Sequence, residues 1–216
     1  MNFGQIILAL SGGVATSIFI FAVTLIFSLP LGLAVAFGRM SKNPLISGIV
    51  KIYISVMRGT PLMLQLMVVY FGPYYLFGIK VNNSYRIWAA LIGFVINYSA
   101  YFAEIYRSGI QSIPVGQHEA AKVLGYSRLQ SFFVIILPQV VKRILPSVTN
   151  EVITLVKDTS LAFTISVSEM FTTAKALASA QTSMMPFVAA ALFYYVFNFI
   201  VAQGMDLFEK RLSYYR

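Results

Sequence analysis

The run VATSIFIFAVTLIFSLPLGLAVAF, Val14 to Phe37, contains no charged residue. As a helix, its 24 residues extend about 36 Å, enough to cross the ~30 Å hydrocarbon core of a bilayer. Four more apolar runs follow, at about Ile54–Phe77, Ile87–Ile105, Ile144–Ile165 and Pro186–Leu207. The second carries Pro61 and Gly72-Pro73, and the fourth is unusually polar. Alternation of the barrel type is absent, and backbone groups in lipid must pair locally, so the runs are helices. The expected fold is an all-α membrane protein of five transmembrane helices in one domain, 1–216, with no internal repeat.

Composition agrees. Of 216 residues, 58% are hydrophobic and 11% charged, against a usual ~45–50% and ~25%. So few charges cannot cover a soluble domain of this size, which excludes a soluble enzyme and a disordered chain. The net charge of +9 fits anchoring beside anionic lipid better than nucleic-acid binding. There is no cysteine, and His118 is the single histidine, so thiolate chemistry and a histidine-built metal site are excluded. Met1 to Ser11 lacks the basic segment of a cleavable signal, and none is expected.

Twelve cations fall on one side of the five runs: Arg39, Lys42, Lys51, Arg58, Arg107, Lys122, Arg128, Lys142, Arg143, Lys210, Arg211 and Arg216. Four fall on the other: Lys80, Arg86, Lys157 and Lys175. The richer side is the inner one, which places the N-terminus outside and the C-terminus inside. The outer segment Ser168–Met185 is expected to form a short helix against the bundle.

The fourth run carries the chemistry. Ser147, Asn150, Glu151, Thr154 and Asp158 recur at helical spacing and share one face, opposite Leu145, Val148, Val152, Leu155 and Val156. Carboxylates at membrane depth are costly and usually face a pathway or a partner. Asn97, Tyr101 and Glu104 form a second helical set, beside Tyr98, and Gln65 adds an amide in the second run. Pairing between helices is the competing account for all of these. Arg58-Gly59-Thr60-Pro61 opens the second span, with Thr60 as its expected N-cap and Arg58 held by head groups. Glu169 lies off the stripe and serves as its control.

The segment at about 108–130 is more polar and holds Gln117-His118-Glu119-Ala120-Ala121-Lys122-Val123-Leu124-Gly125, with Leu137-Pro138 further on. Gln117 to Leu124 reads as a short helix. Its alanines leave a low surface that a partner can approach closely, and Gly125 permits a left-handed cap.

Glu119-Ala120-Ala121, Gly125 and Leu137-Pro138 resemble the EAA loop of binding-protein-dependent ABC importer permeases. Arg58-Gly59-Thr60-Pro61-Leu62 with Gln65, Ala100-Tyr101 with Ala103-Glu104-Ile105, Gly109 to Gln117, and Lys157-Asp158-Thr159-Ser160-Leu161 resemble its polar amino-acid branch. The likeness covers roughly Gly12 to Arg211. It implies a type I, methionine-importer-like permease of the bacterial inner membrane, paired with a second permease copy. It also implies two separate ATPase subunits, which bind ATP and Mg, and an extracytoplasmic amino-acid-binding protein. Gln117, Glu119, Ala120, Ala121 and Gly125 would couple to the ATPase. The chain has no G-x-x-x-x-G-K-[S/T], so it is expected to be no enzyme and to hold no cofactor of its own. Two carboxylates in the stripe favour a substrate with a cationic end, of the arginine, histidine, lysine or glutamine type. Substrate contact is expected from Asn150, Glu151, Thr154, Asp158, Asn97, Tyr98, Tyr101 and Gln65. A permease for another small solute, half of a hetero-dimer, and a channel or scaffold without an ATPase remain as other readings.

Overall fold

The computed structural model describes residues 2–212; Arg216, counted above among the inner cations, lies outside the described residues. Among the described residues all regular structure is helical. α1 (Phe3–Arg39) buries Gly13, Ser17, Thr24, Ser28, Gly32 and Ala36 at roughly four-residue spacing. Helices in lipid gain little from expelling water and much from close contact, so small residues mark the seam. Gly32 shows how close that contact is, since a Cβ there would lie 2.8 Å from the Cβ of Phe102.

The second run is not one straight helix. α2 (Pro44–Gly59) and α3 (Leu62–Phe77) meet at 111°. Proline lacks an N–H and drives the preceding residue out of the helical region, and Thr60 is extended at φ −122°, ψ 148°. Thr60 therefore does not cap the second helix as expected. It ends α2, its Oγ1 donating to the Val56 carbonyl at 2.8 Å, while Pro61 takes the N-cap position of α3 without a side-chain bond.

Four helices are long and apolar enough to cross a membrane singly, and the bent pair makes a fifth candidate. Packing shows that the pair serves as one crossing. Ala36, near the end of α1, packs with Ala100 and Ala103 of α4 (Tyr85–Gln111). α2 starts beside that end, where Arg39 donates to Ser47 Oγ at 3.1 Å. α3 then runs antiparallel to α4, with Gln65 against Asn97 and Tyr70 against Arg86. The pair thus returns the chain from the level of Ala103 to that of Tyr85, about 27 Å along the axis of α4.

α5 (Val115–Val123) is followed by one long helix, Arg128–Ile165. It comprises α6 (Arg128–Gln130), a π-helical stretch Ser131–Ile136, α7 (Leu137–Asp158) and a 3-10 end, Thr159–Ile165. The widened π turns sit directly ahead of Pro138, which cannot donate to a normal ladder. The expected fourth span, Ile144–Ile165, is the later part of this helix. α8 (Met170–Gln181) is the short helix foreseen between the last two spans, and it packs on α1 and α9 (Met185–Leu212). α7 runs antiparallel to α4, joined by Tyr98 to Asp158 at one end and by Arg143 to Ser112 at the other.

Candidate functional site

On α7 the face holding Val152, Leu155 and Val156 is buried, whereas Ser147 and Asn150 are exposed and Glu151, Thr154 and Asp158 half-buried. The apolar face therefore packs within the bundle and the polar stripe looks out of it. Asp158 accepts from the Tyr98 hydroxyl at 2.7 Å. Among the described residues the side chains of Asn150, Glu151 and Thr154 make no hydrogen bond, so their capacity is unspent. The Tyr98 and Tyr101 rings lie 6.2 Å apart, and the Arg58 guanidinium sits 5.4 Å from the Tyr101 ring centroid. Arg58 is within charge–charge range of Glu151 and Glu104. It is thus placed beside the stripe, at the break between α2 and α3. Glu104 is ion-paired with Arg107 one turn on, and Arg107 also donates to Gln111.

Gln65 and Asn97 are used differently from the stripe. The Gln65 amide donates to the carbonyls of Met57 and Thr60 and to Thr60 Oγ1, at 3.0, 3.1 and 2.8 Å. Asn97, 3% exposed, donates to the Met57 carbonyl and to Gln65 Oε1, at 3.1 and 2.9 Å. Together they brace the break between α2 and α3. A bend of 111° frees carbonyls that lipid cannot satisfy, and these two amides take them up.

At the inner end of the bundle α5 presents Gln117, Glu119 and Ala120 outward. Ala121 is only 1% exposed. The low surface expected from both alanines is therefore Ala120 alone, since successive helical residues point about 100° apart. Gly125 has φ +80°. The Tyr126 and Gly125 N–H groups donate to the Ala121 and Lys122 carbonyls at 3.1 and 3.0 Å, the double bond of a Schellman cap. Gln117 Oε1 accepts from Gln139 on α7 at 3.2 Å, which ties α5 to the helix carrying the stripe.

Glu169 is not an inert control. It is 0% exposed and caps α8, accepting from the Phe171 and Thr172 N–H groups at 2.7 and 2.6 Å. The hydroxyls of Thr172 and Tyr194 donate to it at 2.8 and 3.2 Å, and Ser17 Oγ reaches it at 3.5 Å. It fastens α1, α8 and α9 together. Among the described residues no three His, Cys, Asp or Glu side chains gather as a metal site would require.

Residues 28–214 match the family described as binding-protein-dependent transport system inner membrane component. The chain belongs to that family. The arginine transport system permease protein ArtQ of Bacillus subtilis (strain 168) is 37% identical over 202 residues, covering 93% of this chain and 91% of that protein. The L-cystine transport system permease protein TcyB of Bacillus subtilis (strain 168) is 34% identical over 208 residues, covering 95% of this chain and 87% of that protein. Among solved structures, an amino acid ABC transporter crystallised with histidines matches at TM-score 0.87 and 30% identity, over 98% of this chain and 99% of that one. The MetNI methionine ABC transporter in an inward-facing form matches at TM-score 0.67 and 14% identity, over 92% of both chains, a likeness of fold. This permease is thus an amino-acid ABC transporter subunit with a methionine-importer-like transmembrane fold.

In this permease the structure draws Tyr98, Tyr101 and the α7 stripe into one region and leaves Gln65 and Asn97 behind it as supports. Sequence reasoning did not place Arg58 beside the stripe or show Glu169 as an anchor. Arg58 had one sequence signal, its place just before Gly59 and Pro61, where a helix must turn. Glu169 had one too, its place at the start of the short helix expected over Ser168–Met185, but its contacts with Ser17 and Tyr194 are remote in the chain and left no local trace.

Proposed function

We propose that this chain is the pathway-forming subunit of an ATP-driven importer of a polar or basic amino acid in the bacterial cytoplasmic membrane, with its N-terminus outside and its C-terminus inside. The observation that carries the proposal is the open stripe on α7, whose Asn150, Glu151 and Thr154 side chains have no protein partner among the described residues. Polar groups left unpaired at membrane depth are expensive unless water or a solute reaches them. Glu151 and Asp158 stand two turns apart, about 10 Å along the axis. That spacing suits a solute with two cationic ends, an α-ammonium and a basic side chain. The exposed stripe of one chain supplies half a pathway, and a second copy supplies the other half.

Coupling follows from the inner end. Glu119 and Ala120 face outward on α5, where two separate ATPase subunits, which bind ATP and Mg, dock. Closure of the ATPase pair pulls on α5, and the Gln117–Gln139 contact passes the motion into α7. An extracytoplasmic binding protein delivers the amino acid from the other side. Asn97 and Gln65 act in this scheme as braces, not as substrate contacts.

Three experiments test the proposal. Uptake into proteoliposomes holding the permease and a copurified ATPase is competed by a panel of amino acids; basic or amide side chains compete best if the reading is right. The chain has no native cysteine, so single cysteines at Asn150, Glu151 and Thr154 label cleanly. Their protection from aqueous reagents in every nucleotide state removes the pathway. Glu119→Lys and Gly125→Pro each abolish uptake while leaving the chain in the membrane; undiminished uptake contradicts the coupling role.

A further inference from the structure

Every free amino acid carries an α-carboxylate, and the stripe offers it two carboxylates and no positive partner. Among the described residues two cations act on the carboxylates of the stripe, while Arg143, one turn before Ser147, is bonded to Ser112. Lys157 precedes Asp158 in the chain and interacts with that carboxylate. Arg58 comes from another element and reaches the Glu151 end. Its guanidinium lies over the Tyr101 ring at 5.4 Å and makes no hydrogen bond or ion pair with a described residue. Glu104, the other acid in its range, is already engaged by Arg107. The backbone beneath Arg58 is held in place, because the carbonyl of the preceding Met57 accepts from both Gln65 and Asn97. The result is a pre-set cation with its donors unspent, joined through the Tyr101 and Tyr98 rings to the carboxylate of Asp158. The Glu151 end thus holds an acid and a cation side by side, and the other end holds the acid Asp158, the charge pattern that meets the zwitterionic α end and the cationic side chain of a basic amino acid.

We infer that Arg58 receives the α-carboxylate of the transported amino acid and so selects for a free carboxyl group. The inference rests on the substrate reading above and adds the residue that recognises the common end of all amino acids. A guanidinium presents a planar fork that matches a carboxylate with two parallel bonds, and stacking on Tyr101 keeps the fork oriented.

The test uses the intact permease–ATPase complex in nanodiscs without its binding protein, so that only the permease discriminates. Calorimetry compares L-arginine with L-argininamide and L-glutamine with L-glutaminamide, pairs that differ in the carboxylate. The wild-type complex is expected to prefer at least one free acid over its amide by about tenfold, the value of one charged hydrogen-bonded contact. Arg58→Gln is expected to lower affinity for that acid about tenfold, leave the amide unchanged, and copurify with the ATPase in the wild-type ratio. Arg58→Lys restores part of the preference. Glu151→Gln weakens acid and amide alike. Equal weakening of acid and amide by Arg58→Gln, no effect of it, or loss of the preference in Lys157→Gln instead overturns the role of Arg58 while leaving the substrate reading standing. Failure of the wild-type complex to bind either amino acid overturns both.

Discussion

Two glutamates of this permease do opposite things. Glu169 is fully enclosed and accepts from backbone and hydroxyl donors of α8, α9 and α1. Glu151 is half-buried, accepts no hydrogen bond from a described residue, and has Arg58 within charge–charge range. One carboxylate has spent its capacity on the fold, and the other holds it in reserve. A buried acid in a membrane protein is therefore not by itself a sign of a pathway; what separates the two cases is whether its lone pairs are already taken.

The contrast can be broken in a set order of effect. Glu169→Ala leaves the N-terminus of α8 uncapped and the Tyr194 hydroxyl without its carboxylate, a loss of about 3 kcal/mol. It should lower the midpoint of thermal unfolding in detergent by several degrees and deplete the chain from the membrane. Unchanged stability would show that α8 is not fastened there. Glu151→Gln should do the reverse, with unfolding unchanged and uptake reduced at least tenfold; a fall in stability equal to that of Glu169→Ala would erase the distinction. Gln65→Ala frees the Met57 and Thr60 carbonyls and should cost about 1–2 kcal/mol, with uptake falling several-fold as Arg58 loses its support. Smallest is Tyr194→Phe, which removes one of several donors to Glu169 and should cost about 1 kcal/mol, seen as a small drop in the same melting curve with uptake intact.

Much of this was legible beforehand. Hydropathy located the five apolar runs, and helical spacing put Asn150, Glu151, Thr154 and Asp158 on one face. Gly125 was expected to take a left-handed conformation and does, at φ +80°. The errors have a common source. The sequence at Thr60 suggests the opening of a helix, yet Thr60 closes one, since a Thr-Pro pair suits either side of a break. Ala121 was placed on the docking surface although it points inward. For Gln65 and Asn97 the sequence left pathway contact and pairing between helices both open, because an amide among apolar neighbours looks the same whether its partner is a solute or a backbone carbonyl such as that of Met57.

The sequence by itself determined that this chain crosses a membrane, which helix is polar and on which side it is polar, because hydropathy and a 3.6-residue period are properties of single segments. Only the tertiary structure decided which polar groups are already satisfied, that the second span is bent and braced at Met57, and that Arg58 stands beside Tyr101. Hydrogen bonds and charge contacts need two partners, and the period of a helix fixes the direction of a side chain without naming what it meets.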